Sequence, residues 1–400
     1  MRRLFLVLCL SVFLISNSVS CSEFFTLDEQ EIRLLGRSND FSESSLNPGN
    51  ILNLEEQYMK SKYLLSFSGQ LNEAMSFYLN PRLVMNTTKS GATSDASFKE
   101  IYSTINPSSK LYIDIGKKDI SWGTAYAWNI INIFDDQNRF IRESAQYQTV
   151  LHSQYYVNHY LSLTHASFLE SNDYGLKLQS SVKNIDIDLV FLNQQDKEKI
   201  GIDFSTVIGD SLEVHAELLG QSGSDAFYPE SPTQNVFTWQ QLNDNTDIYS
   251  KFILGFQYTT LSNTNIVIEY FYNGLGLNNA EFELMESGLE HALSNNNYQS
   301  NSVASAFLLN ASSYYNFSQF RKNYLFFRIS NDSLLDKVGL ECNSYYAIDD
   351  KGFLAVPSIS YKLSNAMLMT TKGFLSFGDK STEFKRFYDK YVSVELSMLF

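Results

Sequence analysis

Between Asn184 and Leu218 the sequence alternates with a period of two over three successive stretches. Ile185, Ile187, Leu189 and Phe191 alternate with Asn184, Asp186 and Asp188; Ile202, Phe204, Thr206 and Ile208 follow; Leu212, Val214, Ala216 and Leu218 then alternate with Glu213, His215 and Glu217. Successive side chains of a strand point to opposite faces, so each stretch has one apolar and one polar face. A soluble sandwich also alternates, with water on its polar side. What separates the two cases is that the apolar row persists from strand to strand while the other row carries charges at mid-strand, as a lipid-facing wall around a wet interior requires.

The rest of the chain reads the same way. Glu31 to Leu35 is a candidate first strand, and Asn47-Pro48-Gly49-Asn50 a turn. Tyr63, Leu65 and Phe67 form one arm of a hairpin, Gly69 to Asn72 its turn, and Met75, Phe77 and Leu79 the other arm. Asn86 to Ala96 reads as a longer loop, Leu111 to Ile115 as a strand, and Tyr155 to Phe168 as one long alternating stretch. Phe252 to Tyr258 and Ile266 to Tyr272 pair after a polar loop, Gln221 to Tyr249. In the insertion Asn278 to Ser302, Phe282, Met285, Leu289 and Leu293 keep helical spacing, predicting a short amphipathic helix in a loop. Tyr324 to Ile329, Val338 to Ala347, Phe353 to Leu363 and Met367 to Phe377 complete the hairpins, with turns at Asn331-Asp332 and Asp349 to Gly352. In the last ten residues Val392, Val394, Leu396, Met398 and Phe400 form an apolar row. The predicted fold is therefore all-β, a transmembrane antiparallel up-and-down β-barrel of about 16 strands, within about 14 to 18.

At the other end Met1-Arg2-Arg3, the apolar run Leu4 to Ile15 and the small residues Ser18 and Ser20 read as a signal peptide over residues 1–20. Residues 21–53 then form an N-terminal segment holding the candidate first strand, and 54–400 the barrel. Cys21, as the first mature residue, raises lipid anchoring, although Ser18 stands where a lipidation signal prefers Leu. Cys21 and Cys342 make no disulfide framework, and no metal-ligand spacing or phosphate-cradling loop occurs, so no cofactor is expected. Cys342 reads as a small strand residue. The negative mean hydropathy fits a barrel, in which only every second residue meets lipid. Thirty Phe and 25 Tyr against 6 Pro suit many strands with interfacial aromatics, and a formal charge of −14 disfavours nucleic-acid binding.

Three stretches carry a resemblance. Ile113 to Gly123 runs from a strand through Gly116-Lys117-Lys118 to Trp122-Gly123; Glu269 to Gly276 is an acidic strand end with an aromatic Asn-Gly turn; Phe377-Gly378 and Ser381 to Phe384 precede the terminal strand. Together they resemble bacterial outer-membrane β-barrels of the porin-like and alginate-export-like kind. Lys118 stands where that pattern more often has Gln, and the residues after Trp128 lack its Pro-rich continuation. The resemblance implies a channel for small hydrophilic solutes in the bacterial outer membrane, contact with lipid and lipopolysaccharide or another outer-leaflet lipid, and recognition of Phe400 by the barrel-insertion machinery. Barrels of this size often assemble as homotrimers, which makes that assembly an expectation too.

On this reading Asp114, Asp186, Asp188, Glu213, Glu217 and Glu269 line the lumen, and Arg82, Arg139, Arg142 and Arg328 oppose them. Such walls either select by charge, with cations favoured, or pair across the lumen and stiffen the barrel. Trp122, Tyr126 and Trp128 are either part of the interfacial girdle or an aromatic ramp for a saccharide-like solute, with Lys117, Lys118 and Asp119 alongside. Gly116 and Gly123 predict bent backbone and a loop tucked into the lumen. The competing expectation is a plugged surface barrel whose long loops act as an adhesin. An enzyme is not expected: His152-Ser153-Gln154 and His165-Ala166-Ser167 lack the context of a hydrolase site, and Asp135-Asp136 with His152 or His159 makes a protease only on paper.

Overall fold

The computed structural model describes residues 26–40, 55–132, 148–194, 196–224, 227–233, 236–241, 244–294, 320–332, 334–379, 381–387 and 390–400. The proposed signal peptide, Cys21, the turn at Asn47 to Asn50, Asp135-Asp136, Arg139 and Arg142 lie outside the described residues.

Twenty strands follow one another: β1 (Thr26–Asp40), β2 (Gln57–Asn72), β3 (Met75–Thr88), β4 (Ala92–Ser108), β5 (Leu111–Lys118), β6 (Gln148–Tyr156), β7 (Leu161–Phe168), β8 (Tyr174–Val182), β9 (Ile185–Gln194), β10 (Lys197–Ile208), β11 (Leu212–Ser224), β12 (Phe227–Thr233), β13 (Val236–Gln241), β14 (Asp244–Thr259), β15 (Asn265–Asn273), β16 (Asn323–Asn331), β17 (Val338–Ala347), β18 (Gly352–Ser364), β19 (Met367–Phe377) and β20 (Lys390–Leu399). Among the described residues two helices, α1 (Asn279–Ser294) and α2 (Glu383–Phe387), lie in connections. Eighteen strands form one antiparallel sheet, while β12 and β13 make a separate hairpin. Because β1 pairs with β2 on one edge and with β20 on the other, the sheet closes on itself and leaves no edge exposed. The seam reaches the last residue: Phe400 and Gln30 exchange backbone hydrogen bonds of 2.9 and 3.2 Å.

The outer face is the apolar row of the sequence pattern. Ile187, Leu189, Ile202, Leu218, Phe256, Ile268, Phe327 and Val394 are all exposed. Aromatic rings end this row, with Tyr155, Tyr258 and Tyr361 toward the end that holds Thr26 and Phe400 and Tyr174 and Phe377 toward the other. That arrangement is a girdle, supplied by residues other than Trp122 and Trp128. No described helix is long and apolar enough to cross a membrane.

The strand count is 18, two above the central expectation and inside its range. The difference comes from boundaries. The supposed loop Asn86 to Ala96 shrinks to Lys89–Gly91, because β3 and β4 run through it paired from Met75↔Ile105 to Thr87↔Ala92. Tyr155 to Phe168 is no single strand: it is the end of β6, the turn 157–160 and all of β7. In the supposed loop Gln221 to Tyr249, β11 continues to Ser224, β14 starts at Asp244, and β12–β13 lies between. The predicted helix is present as α1, with Phe282, Met285 and Leu289 buried. Asn278 and Glu281 cap it reciprocally, the Glu281 N–H donating to Asn278 Oδ1 and the Asn278 N–H to Glu281 Oε2. Short connections gather at the end with Thr26 and Phe400, as at 73–74, 109–110, 183–184 and 365–366, and long ones at the other.

Candidate functional site

The connection after β5 does not extend away from the barrel: residues 119–132 turn inward and lie against the inner wall of β9 to β17. Gly116, at φ +134°, starts the turn where a Cβ would stand 2.3 Å from the Ile101 carbonyl oxygen. Gly123, at φ +94°, passes so close to Glu217 that a Cβ would meet its Oε1 at 2.5 Å. Both positions therefore require glycine. The predicted loop tucked into the lumen is thus present.

Two buried carboxylates hold it. Glu217 on β11, 1% exposed, accepts the N–H groups of Thr124 and Ala125 on Oε1, both at 2.9 Å, and that of Ile130 on Oε2 at 3.1 Å. Glu269 on β15, fully buried, accepts the N–H of Tyr126 on Oε1 and that of Ala127 on Oε2 at 2.7 Å. Buried N–H groups need acceptors, and a charged acceptor binds them more strongly than a carbonyl does. Asp203 on β10 adds a third contact by accepting the Thr124 hydroxyl at 2.8 Å. Within the loop the Asn129 amide donates to the Trp122 carbonyl, and the Trp122 N–H donates to Asn132 Oδ1 at 3.3 Å.

Apolar packing completes the seat. Trp128 enters a box of inward aromatics, stacked on Phe271 at 4.8 Å and edge-on to Tyr345 at 5.7 Å, with Tyr324 and Phe326 beside it. Tyr126 stacks on Phe326 at 5.9 Å and lies under the Arg328 guanidinium at 4.8 Å. Trp122 is buried with Lys177 5.9 Å from its ring centre. Ile131 fits against Gly201, where a Cβ would come within 2.9 Å of it.

The predicted site residues thus divide. Glu217 and Glu269 face inward but are covered by the loop, so they anchor it and do not present free charge to a lumen. Trp122 and Trp128, each 2% exposed, are neither girdle nor ramp; they are the loop's packing anchors. Tyr126 is half-buried at Arg328. Asp114 is buried and taken up by three donors: Lys118 at 2.6 Å, the Thr104 hydroxyl at 2.6 Å, and His152 Nδ1 at 3.0 Å. Asp188 pairs with Lys177 at 3.1 Å. Arg328 pairs with Glu341 at 2.6 Å, and Arg82 reaches Ser97 at 3.2 Å and Asp95 at 3.9 Å. Of the six named carboxylates, Asp186 is exposed and Glu213 half-exposed. The inward rows of β1 to β3 carry Arg33, Lys60, Lys62 and Arg82, with Arg33 opposite Lys62 in register. Among the described residues most of the named charges are thus paired locally.

Three residues that the pattern reading left aside belong to the site: Asp203, His215 and Gly255. Asp188, Asp203 and Glu217 stand abreast on β9, β10 and β11. His215 Nε2 lies 2.9 Å from Glu269 Oε1, reaching across Gly255 on β14, where a Cβ would fall 1.9 Å from that nitrogen. Gly255→Ala is expected to push His215 off Glu269 and to cost about 1–3 kcal/mol as an overpacked interior; a urea unfolding midpoint of the refolded protein, compared with wild type, measures it. Among the described residues no group of three or more His, Cys, Asp or Glu side chains is arranged to hold a metal.

No protein-family model and no curated protein matches the sequence. Solved structures do. Pseudomonas aeruginosa OccK11 (OpdR) is similar with a TM-score of 0.58 at 10% identity, over 93% of this chain and 94% of that one. A mutant of the Rh. blastica porin aligns over 94% of this chain and 100% of that one, at a TM-score of 0.47 and 10% identity. With the closed seam and the inward loop, the similarity to OccK11 shows what this chain is in architecture: an 18-stranded antiparallel β-barrel of porin-type fold.

Proposed function

We propose that this protein is a bacterial outer-membrane channel through which small hydrophilic solutes pass passively, in a lumen narrowed by residues 119–132. The observation that carries this reading is the clamp itself. A loop folded against one inner wall by Glu217 and Glu269 sets a cross-section without relying on the rim, and leaves the opposite wall, β1 to β3, with polar and charged inward rows. The exposed apolar outer face with aromatic ends supports insertion in a lipid bilayer. The end with the short turns, Thr26 and Phe400 then faces the periplasm, and the end with α1, β12–β13 and α2 faces outward.

Selectivity follows from which charges stay open. Asp114, Asp188, Glu217 and Glu269 are occupied, so of the six named carboxylates a cation preference in this reading rests on Asp186 and on Glu213, which lies 3.7 Å from His215 Nδ1. Single-channel recording of the refolded protein in a planar bilayer under a salt gradient tests both parts. Steady conductance is the expected outcome, with a weak reversal potential that moves toward anions in Asp186→Asn/Glu213→Gln. A folded barrel that passes no current would overturn the channel reading in favour of a closed surface barrel.

A further inference from the structure

At the rim with the long connections, four separate segments converge on one charge cluster, which touches the loop's seat only through Tyr324. Arg321, 2% exposed, precedes β16. Its guanidinium donates to Asn279 Oδ1 and to the Asn278 carbonyl at 3.4 Å, and sits 4.3 Å over the Phe282 ring, so it grips the first turn of α1. Leu277 bonds back to the Phe320 carbonyl at 2.6 Å and fixes the same junction. On its other side Arg321 lies 3.8 Å from Asp350, in the turn between β17 and β18. Asp350 in turn accepts the Glu383 N–H at 3.0 Å and that of Gly352 at 2.8 Å. The Glu383 side chain, fully buried on α2, accepts the Tyr324 hydroxyl at 2.7 Å and the Phe320 N–H at 3.3 Å.

One buried cation here faces the fully buried Glu383 carboxyl and the largely covered Asp350 carboxyl, whose side chain is 10% exposed. The cluster is neutral only while one carboxyl keeps its proton, and a second negative charge at this depth is costly without a partner. We infer that the Arg321–Asp350–Glu383 cluster is a proton-held latch that keeps α1 docked at the outer rim and releases it in alkaline surroundings. The groups facing Glu383 are Tyr324 from β16, Arg321 from the segment before it, and Asp350 from the β17–β18 turn, with Asp349 next to Asp350 and Lys385 on α2 itself. Asp349 is engaged separately by the backbone of Lys322 and Asn323.

Burial, and then the Asp350 carboxylate, push Glu383 up to about 8; burial also raises Asp350. A raised acid binds its proton more tightly in the folded state than in the unfolded chain. The stability it contributes is complete below the ordinary carboxylate range and is lost as pH rises through about 8.

Hydrogen exchange of the α1 amides, corrected for the intrinsic effect of pH and referenced to the amides of β9–β11, reads the latch whether or not the lumen conducts. In wild type the protection of residues 279–294 is expected to fall about tenfold per pH unit above 8, as one proton is lost. Glu383→Gln, which cannot ionise, is expected to keep α1 protected up to pH 9.5. Asp350→Asn, which removes the neighbouring negative charge and leaves Glu383 the one carboxyl of the cluster beside Arg321, should weaken the loss. Protection in wild type that does not change between pH 7 and 9.5 overturns the latch, and so does a loss of the same size in either variant.

Discussion

Glu217→Gln combined with Glu269→Gln is expected to free residues 119–132 from the inner wall and raise the conductance of the channel. Each glutamine replaces one acceptor oxygen with an amide that itself donates, and that amide meets a loop N–H. At least one buried N–H then loses its acceptor at each site, at about 1–3 kcal/mol each. Several backbone bonds to two side chains hold the whole loop, so the two losses act on one docking equilibrium and reinforce each other. The barrel, held by its own strand ladders, should stay folded. Recording from the double variant beside each single one checks the order: small changes for the singles and a larger, noisier current for the pair. An unchanged current from the folded double variant would mean that the loop does not set the cross-section.

Trp128→Ala acts on the same loop by another route. The indole sits among Phe271, Tyr324, Phe326 and Tyr345, and truncating a buried Trp costs about 3–5 kcal/mol, more than any one of the loop's hydrogen bonds. Residues 119–132 should become cleavable by protease while the strands remain resistant, whereas Trp128→Phe, which keeps an aromatic ring in the box, should stay largely protected. If Trp128→Ala is as resistant as wild type, the carboxylates alone suffice to dock the loop.

Much of the barrel is legible in the chain, and the reasons are local. Along β9, β10 and β11 the outer row is aliphatic and the inner row polar, so period and face are unambiguous. The first half of β4 has no such contrast: Ala92, Thr93, Ser94 and Asp95 offer no apolar row, so the stretch reads as loop. The helix α1 is visible because Phe282, Met285 and Leu289 bury one stripe. The clamp was harder to see. A carboxylate at mid-strand looks the same whether it faces water or a covering peptide, so Glu217 and Glu269 were read as lumen charges. The available signal lay in their neighbours. Leu219, Ile253, Val267 and Phe271 share the inner face with them, and apolar residues on a wall facing water are hard to explain unless something lies over it. Gly123 with Trp122 and Trp128 supplied that cover, but which strands it would meet depends on contacts distant in sequence, beyond any local pattern.

The seam between β1 and β20 has a consequence for how this protein comes to be. Gln30 and Phe400 are hydrogen-bonded partners at opposite ends of the chain, so the last ladder to form joins segments separated by nearly the whole sequence. Most of the other ladders join neighbouring hairpins, which can zip one after another at small entropic cost, whereas closing this one waits on every strand between. Until it closes, β1 and β20 are unpaired edges in a half-built wall. The assembling chain is therefore most exposed to wrong pairing at its two ends, and a helper that shields one of those edges would speed maturation more than one acting anywhere in the middle.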